Sequence, residues 1–338
     1  MSHTTLVLPF SLAPKELASD LARHLKAPAL ATLLSKTATE QEKPGPGSVR
    51  LLPHELWLSR ALGADAHTPA FAPAVLRGYG FDPEDGYWFI VNPAHIEIAR
   101  SHLLLNDMRQ LALTEAHSRA LFETARPYFE ESGLALAYGD AGTWFLRADD
   151  WSGLDTASPD AAAGLDISFF MPAGAAAIRF RKLQNEIQML WHEHPANVER
   201  ESAGQLPVNA FWPWSGAGGR SLPLVPFHTS STQPWLDALA IASGGGMADP
   251  QAAFSKCAIV YCDHLSAAAI GGDWSAWIGA MEALEREWFA PALTALQTGG
   301  AARISLVLSN RELLVETTTT RFSLHKFWRR PILDKLFK

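Results

Sequence analysis

Apolar residues along the chain follow two spacings, which predict strands and helices. Short continuous apolar runs are typical of strands buried on both faces, and apolar residues that recur every three or four positions are typical of helices. The predicted strands are residues 6–8, 87–91, 95–99, 134–138, 143–147, 258–262 and 303–309. The predicted helices are residues 14–34, 114–131, 183–194 and 274–296, the third ended by Pro195. Strands that alternate with helices indicate a mainly parallel sheet sandwiched by helices, so the predicted fold class is α/β.

Segments rich in proline, glycine and polar residues separate these elements. Residues 37–48, which include Pro44-Gly45-Pro46-Gly47, predict a mobile surface loop, and residues 64–80 predict an irregular connection. Between residues 87 and 150, one helix and two pairs of short strands predict a compact α+β unit with loops on both sides. Gly139-Asp140-Ala141-Gly142 would join the second pair of strands as a hairpin.

Composition and charge limit the classes of function. The chain has 338 residues, of which 48% are hydrophobic, and a formal net charge of −7. This charge argues against general nucleic-acid binding, which depends on basic side chains that neutralise phosphates. The sequence shows no secretory signal and no apolar run of about 20 residues, so we expect a cytoplasmic protein without a transmembrane segment. Cys257 and Cys262 cannot form a disulfide framework or a four-thiolate zinc site alone, and we expect two buried thiols.

One stretch combines residue types that rarely occur together by chance. It runs His194-Pro195-x-Asn197-x-x-Arg200-x-x-x-Gly204-x-x-Pro207-x-Asn209, then Trp212-Pro213-Trp214-Ser215-Gly216-Ala217-Gly218. This string resembles the archaeal-type cofactor-independent phosphoglycerate mutases, a branch of the alkaline phosphatase superfamily, which carry a similar order of HPxN, R, G, PxN and RGxG. Weaker similarities, such as Phe81-Asp82-Pro83 and the hairpin Gly139–Leu146, extend over most of the chain.

The resemblance implies an architecture. The family fold is an alkaline-phosphatase-like central sheet sandwiched by helices, with a small α+β insertion. Residues 1–86 and 151–338 would form the α/β core, and residues 87–150 would form the insertion. The sequence also resembles a bacterial offshoot of this family that is described as regulatory and phosphoglycerate-mutase-like.

The resemblance also implies where catalytic residues would stand. The family uses two divalent metals and a hydroxyl nucleophile, with metal ligands after a first, a middle and a late strand. In this chain the first strand leads into Pro9-Phe10-Ser11-Leu12, and the late strand ends at Ser309-Asn310. The middle strand keeps Asp263-His264 but continues with small and apolar residues. Because neutral side chains cannot balance two dications, we expect the two-metal chemistry to be absent.

Two functional hypotheses follow. The first is a catalytically inactive regulatory module that binds a small anionic ligand or a protein partner, with no catalytic residue, no cofactor and no nucleic acid. The alternative is an active metal-dependent phosphomutase or phosphoester hydrolase with a rearranged site. A relocated metal site would use His192, His194, Asp263 and His264. In the competing interpretation, His194 closes a helix and His192 is solvated.

The candidate ligand-binding residues belong to the string, and most have a structural interpretation as well. The guanidinium of Arg200 offers a fork of donors to an anion, yet arginine and asparagine side chains also satisfy loop backbone groups. Trp212 and Trp214 would line a cleft or a partner contact, or pack in the core. The candidates are His194, Asn197, Arg200, Asn209, Trp214, Gly216 and Gly218.

Two further features are open to more than one interpretation. The segment from Arg321 to Lys338 mixes basic and aromatic residues. It would dock on a partner or an anionic membrane surface, or form a last helix packed on the body with solvated lysines. Ser11, Ser48 and Thr68 lack an assignable base or metal, and we interpret them as solvated turn residues.

Overall fold

The structure, a computed structural model, describes residues 2–65, 67–99, 102–219, 225–231, 233–250, 252–255 and 258–338. Cys257 therefore lies outside the described residues. Contacts divide the chain into two compact units. The first unit comprises Met1–Ser48, Leu52–Trp57 and Val225–Lys338, and the second comprises Val49–Leu51 and Leu58–Leu224.

The strands and helices are numbered along the chain. The strands are β1 His3–Leu8, β2 Thr39–Pro44, β3 Tyr87–Ala94, β4 Ile96–Ala99, β5 His102–Leu105, β6 Ala135–Tyr138, β7 Trp144–Arg147, β8 Ala210–Gly218, β9 His228–Thr229, β10 Gly246–Met247, β11 Ala258–Tyr261, β12 Arg303–Ser309 and β13 Leu313–Thr320. The helices are α1 Ala18–His24, α2 Pro28–Ser35, α3 Pro53–Ala61, α4 Ala72–Gly78, α5 Glu115–Glu131, α6 Pro159–Ala162, α7 Ala177–His192, α8 Pro195–Ser202, α9 Pro234–Ala242, α10 Ser266–Ile270, α11 Trp274–Leu284 and α12 Ala290–Thr298.

A seven-stranded sheet with the order β10-β9-β11-β1-β12-β13-β2 forms the centre of the first unit. The strands from β10 to β12 are parallel, and β13 and β2 run antiparallel to their neighbours. In register, Leu6 of β1 lies between Val260 and Leu306. The central strands β1 and β12 are apolar and buried over most of their length, because they lie inside the sheet and contribute to the core of the first unit. The predicted α/β class with a mainly parallel sheet is confirmed.

The prediction of a loop at residues 37–48 is wrong for the centre of that segment, where β2 forms an edge strand of this sheet. Thr39 pairs with Thr318 and Pro44 pairs with Leu313 in an antiparallel ladder. All six side chains of β2 are exposed, and the strand contains no apolar residue except Pro44. Backbone pairing and surface ion pairs hold this strand, so a search for apolar residues cannot detect it.

The long helix predicted at 274–296 is present but is interrupted by a π-helical turn at Glu285–Phe289. Pro291 follows this turn and has no backbone N–H, so the regular α-helical ladder cannot continue through it. The side chain of Glu285 points to the first turn of α2. Its Oε1 accepts from the Ala29 amide at 2.7 Å, and its Oε2 accepts from the Leu30 amide at 3.0 Å.

The second unit is built on an antiparallel sheet with the order β6-β7-β3-β8. Helices α5 and α7 contribute to its aromatic core, which includes Trp144, Trp191 and Phe211. The two-stranded ribbon of β4 and β5 lies outside this sheet. Because β8 pairs along the whole of β3, the second unit extends beyond the predicted boundary at residue 150 and differs in extent from the predicted 87–150 insertion.

Two other predictions of local structure are corrected. The segment 64–80 was expected to be irregular, but it contains α4, with Pro73 in its first turn and Gly80 at φ +87° after its end. Pro195 was expected to end a helix, but it opens α8 instead, and two residues separate it from the end of α7. Proline is found after helix ends because it cannot continue the helix. It also suits the first turn of a helix, where its fixed φ fits and its missing N–H is not needed.

The described residues contain no helix with both the length and the apolar character needed to cross a membrane.

Candidate functional site

The carboxyl ends of β1, β9, β11 and β12 meet at one edge of the first unit's sheet, since these strands are parallel. In open α/β sheets, ligands bind at this edge. The residues that follow these strands therefore define the candidate site, which we call the carboxyl edge.

A group of rings fills the carboxyl edge after β1. The backbone turns at Phe10, whose φ of +54° lies in the left-handed region that favours glycine. The Phe10 ring contacts His54 edge-on with centroids 5.3 Å apart, and the His54 ring lies 6.4 Å from that of Tyr261. Trp277 holds the turn, because its Nε1 donates to the Phe10 carbonyl at 3.0 Å. All four side chains are buried.

The hydroxyl groups at this edge bond to one another and to the backbone. Ser11 Oγ donates to the Leu8 carbonyl at 2.7 Å and accepts from the Ser309 amide at 3.3 Å. His54 Nδ1 lies 2.9 Å from Ser309 Oγ. Ser11, His54 and Ser309 are each 1% exposed or less. Ser11 is therefore not the solvated turn residue that the sequence predicted, because its hydroxyl closes the buried end of β1.

Asn310, the other residue at the end of β12, shapes a turn. Its Oδ1 accepts from the amides of Glu312 and Leu313 at 2.9 and 2.8 Å, which fixes the hairpin to β13. A side-chain oxygen that already accepts two backbone amides forms a local asparagine turn.

Acidic groups occur on the other side of the edge, after β11 and in α9. Asp263 accepts from Gln233 Nε2 at 3.0 Å, and Gln233 Oε1 accepts from Trp235 Nε1 at 3.1 Å. Burial and the charge of Asp263 raise the pKa of Asp237. The two carboxyl groups therefore lie close enough to repel each other. His264, the neighbour of Asp263, is exposed.

The thiol of Cys262 is a poor nucleophile. Burial raises its pKa to about 12, and the charge of Asp263 acts in the same direction. The side chain is fully buried. A thiol with so high a pKa is protonated at neutral pH, and the thiolate is the reactive form. Cys262 thus has the role of a small buried hydrophobe, as its sequence context predicted.

The groups at the carboxyl edge do not fit two divalent ions. A two-metal site for phosphoryl transfer needs several anionic or imidazole ligands around each ion. At this edge the charges of Asp237 and Asp263 interact, whereas Phe10, Ser11, Ser309 and Asn310 after β1 and β12 are uncharged. The nearest charge shown at the Phe10 ring is the cation of Arg311, 5.6 Å from its centroid. Within the described part of the chain, no group of three or more His, Cys, Asp or Glu side chains is arranged to hold a metal.

The predicted ligand-binding string lies in the second unit, and its central residues bond to the backbone. Asn197 Nδ2 donates to the carbonyls of Trp191 and Val208 at 2.8 and 2.7 Å, and its Oδ1 accepts from the Val208 amide at 2.8 Å. Arg200 is fully buried, and burial lowers its pKa. Its guanidinium donates to the carbonyls of Leu206, Ala112 and Leu111. These contacts hold the loop between α8 and β8 in place.

His194 begins a helix instead of closing one, which corrects the structural interpretation of this residue. It is the N-cap of α8, where its Nδ1 accepts from the Ala196 amide at 3.2 Å, and its Nε2 lies 3.1 Å from Thr124 Oγ1. Burial lowers the pKa of His194. His192, the other predicted histidine, is exposed at the end of α7.

The remaining residues of the string lie in or beside β8. Asn209 bonds to both the amide and the carbonyl of Ile96. Trp214 is 3% exposed, and its Nε1 donates to Asn92 Oδ1 at 2.6 Å. Trp212 is likewise buried, with its Nε1 bonded to the Ala157 carbonyl at 2.8 Å. Both tryptophans therefore pack in the core, which was one of the two interpretations of the sequence.

The two glycines of the string differ. A Cβ on Gly216 would lie 2.4 Å from the ring of Phe89, so this position admits only glycine while that ring stays in place. A Cβ on Gly218 would meet no atom within 4 Å. A ligand-binding role for the string thus remains a prediction, whereas a role in the fold is visible for most of its members.

Sequence reasoning missed His54, Tyr261, Gln233 and Asp237 at the carboxyl edge. Tyr261 could have been found, because it lies near the carboxyl end of the strand predicted at residues 258–262. His54 and Asp237 lie in helices that reach the edge only through tertiary packing, so no spacing in the sequence indicates them.

Comparisons with known proteins support the fold. No family model matches the sequence, and no curated protein matches it significantly. The PH0037 protein from Pyrococcus horikoshii aligns over 94% of this chain and 87% of its own length, at 14% identity and a TM-score of 0.51. The cofactor-independent phosphoglycerate mutase from Thermoplasma acidophilum DSM 1728 aligns over 95% and 90%, at 15% identity and a TM-score of 0.39. The likeness to the PH0037 protein shows a shared α/β fold.

Proposed function

We propose that this chain is a phosphoglycerate-mutase-like protein that does not carry out two-metal phosphoryl transfer. It acts instead as a bacterial regulatory module that binds a small anionic ligand or a protein partner in the cytoplasm. The observation that carries the proposal is that Phe10, Ser11, Ser309 and Asn310, the residues that follow β1 and end β12 at the carboxyl edge, carry no negative charge.

The physical argument concerns charge. Two dications in a partly dry site need several negative ligands, because the cost of removing the ions from water is otherwise not offset. After β1 the edge holds the Phe10 ring and the bonded hydroxyl of Ser11, and after β12 it holds Ser309 and the turn-forming Asn310. None of these four side chains carries a negative charge.

The burial of the hydroxyls supports the same proposal. A serine nucleophile must reach the phosphorus atom of a substrate and must be activated by a base or a metal. Ser309 and His54 form a hydrogen-bonded serine–histidine pair, the combination that activates a serine nucleophile in many enzymes. Both side chains, however, are buried in the ring cluster, where a substrate cannot reach them. The pair therefore supports the packing of the edge.

In this proposal the His194–Gly218 string shapes the second unit. Asn197 and Arg200 use their polar atoms on backbone carbonyls and amides, which leaves little hydrogen-bonding capacity for an anion. The string then preserves the fold of the family in a chain that has lost the ligands of the metal site.

One observation favours the alternative, an active metal-dependent phosphomutase or phosphoester hydrolase with a rearranged site. Asp237 and Asp263 lie close together at the edge, and oxygen ligands of this kind suit manganese and magnesium. Such a site would hold one ion between α9 and the end of β11, away from the neutral ends of β1 and β12.

Turnover assays test the proposal. The purified chain is incubated with 2-phosphoglycerate, 3-phosphoglycerate or p-nitrophenyl phosphate and manganese, beside Asp263→Asn and the exposed control Asp20→Asn. We expect all three proteins to give the same background rate. Saturable, manganese-dependent turnover that disappears in Asp263→Asn and survives in Asp20→Asn would establish the alternative.

A further inference from the structure

The C-terminal segment after β13, residues 321–338, is fixed to the first unit and is not a single helix. It contains two short 3-10 turns, Ser323–His325 and Asp334–Leu336. Leu336 is fully buried, Phe337 is 8% exposed, and Phe337 forms a parallel bridge with Ala13. The segment therefore has a defined place on the surface, and its exposed side chains have defined positions.

Basic side chains of the segment also attach it to the body. Lys335 Nζ pairs with Glu40 at 2.5 Å, and Lys338 Nζ pairs with Glu42 at 2.7 Å. Lys326 Nζ donates to the Thr37 carbonyl at 2.8 Å. Arg329 Nη1 donates likewise to the Ser35 carbonyl at 3.2 Å. A carbonyl is neutral, so Lys326 and Arg329 keep their full positive charge where they are held.

Four large apolar side chains of the same segment remain exposed to water, and we call them the tail patch. They are Phe322 (87% exposed), Phe327 (86%), Trp328 (67%) and Ile332 (48%). The rings of Phe327 and Trp328 contact each other edge-on, with centroids 5.2 Å apart. Exposed aromatic side chains that occur together mark an interaction surface, because water solvates them poorly.

Charge indicates the kind of surface that the tail patch would meet. Residues 321–338 contain six Lys and Arg residues and one Asp, in a chain with a net charge of −7. Aromatic side chains beside arginine and lysine are typical of segments that lie in the headgroup region of an anionic bilayer. The aromatic side chains stand out from turns with most of their surface free, so they can enter a lipid layer singly without a matching groove.

We propose that the tail patch and its flanking cations dock the chain on an anionic lipid surface. Phe322, Phe327 and Trp328 would enter the interface between headgroups and acyl chains, while the exposed Arg321 and Arg330 face the lipid charges. Lys326 and Arg329 stay bonded to the body and add to the positive potential around the patch. The body of the first unit would remain outside the bilayer.

Vesicle sedimentation tests the proposal with the full chain. Vesicles of phosphatidylcholine alone and of phosphatidylcholine with phosphatidylserine are compared at about 0.1 M and about 0.5 M salt. We expect binding to the phosphatidylserine vesicles that weakens at high salt. The triple variant Phe322→Ser, Phe327→Ser, Trp328→Ser should lower partitioning about tenfold, because it removes the inserted apolar surface. Arg321→Glu with Arg330→Glu should lower it by a similar factor through charge repulsion.

The control variant is Ile178→Ser with Met189→Ser, two exposed apolar residues of α7 in the second unit. It should bind vesicles as the unchanged chain does, and circular dichroism checks that every variant is folded. Equal binding to both lipid compositions, or no binding to either, would overturn the proposal. A concentration-dependent dimer in sedimentation velocity that the triple variant abolishes, without vesicle binding, would assign the patch to a second copy instead.

Discussion

At the residue scale, the second unit depends on polar side chains that are buried and bonded to the backbone. Arg200 donates to three carbonyls, and Asn197 spans the loop between α8 and β8 with three hydrogen bonds. Buried carbonyl and amide groups need such partners, because each one left without a hydrogen bond costs about 1–3 kcal/mol. The string that resembles the phosphoglycerate mutases thus contains residues that contribute first to folding.

Replacement of Arg200 tests this structural role. Arg200→Met keeps much of the side-chain volume but removes every donor, so we expect the free energy of unfolding to fall by about 3 kcal/mol. Urea denaturation measures the change. Arg126→Met removes an exposed arginine that pairs with Glu123 in α5, and it should cost no more than about 0.5 kcal/mol. Equal stability of the two variants would show that the Arg200 contacts contribute little to the fold.

His194 should make stability depend on pH. Burial lowers its pKa in the folded chain below the ordinary value of 6.5, and only the neutral imidazole can accept the Ala196 amide. Between the folded and unfolded pKa values the unfolded chain binds more protons, so the contribution of His194 is present above pH 6.5 and is lost as the pH falls.

The variant His194→Asn isolates this contribution. Asparagine is a good N-cap that does not titrate, so the helix start is kept while the pH dependence is removed. We expect the unfolding midpoint in urea to fall less between pH 7.5 and pH 5.5 in the variant than in the unchanged chain. Identical pH profiles of the two proteins would contradict the role of the neutral imidazole at this position.

At the element scale, the π-helical turn after α11 places a carboxylate at the start of α2. Glu285 accepts from two amides of the first turn, and a negative charge is favourable at a helix N-terminus. Glu285→Gln keeps the shape but removes the charge and replaces one acceptor with a donor. We expect a loss of about 1–2 kcal/mol in the free energy of unfolding.

Glu287→Gln is the matched control, since Glu287 lies in the same turn but is exposed. Chemical denaturation of both variants measures the difference. A change within about 0.5 kcal/mol for Glu285→Gln would mean that the cap contributes no more than an ordinary surface residue.

The elements that the sequence predicted correctly are those with their own local signals. Thr114 caps α5, and Leu121 and Ala125 lie on its buried face, so both the start and the spacing of that helix were visible. β2 was not detected because its side chains are polar and exposed, and its backbone pairing leaves no apolar pattern in the sequence. Pro195 was ambiguous, because a proline after an apolar helical face fits both the end of one helix and the start of the next.

The carboxyl edge was predictable in part, because the strands that end there have local signals in the sequence. The ends of the apolar strands located Ser11, Asp263 and Ser309, because parallel strands bring their carboxyl ends to one edge of a sheet. The ring of His54 and the carboxylate of Asp237 come from helices, and tertiary packing alone brings them there. The sequence could therefore predict which residues end the strands at this edge, but not which side chains of the helices pack beside them.

At the scale of the whole molecule, each unit has its own sheet and its own core. The likeness to the phosphoglycerate mutases and the difference from them lie in different units. The string that resembles the family lies in the second unit, where it supports the fold. The carboxyl edge, where the family holds two metals, lies in the first unit and has few negative charges. Packing and catalysis depend on different residues, so a shared fold does not by itself indicate a shared activity.

Manganese loading measures the central claim most directly. The chain, Asp237→Asn and Asp263→Asn are dialysed against buffer with manganese, and bound metal is counted by elemental analysis. The account predicts well below one ion per chain for all three proteins, because the carboxyl edge lacks the necessary anions. Two ions per chain that are lost in both variants would contradict it.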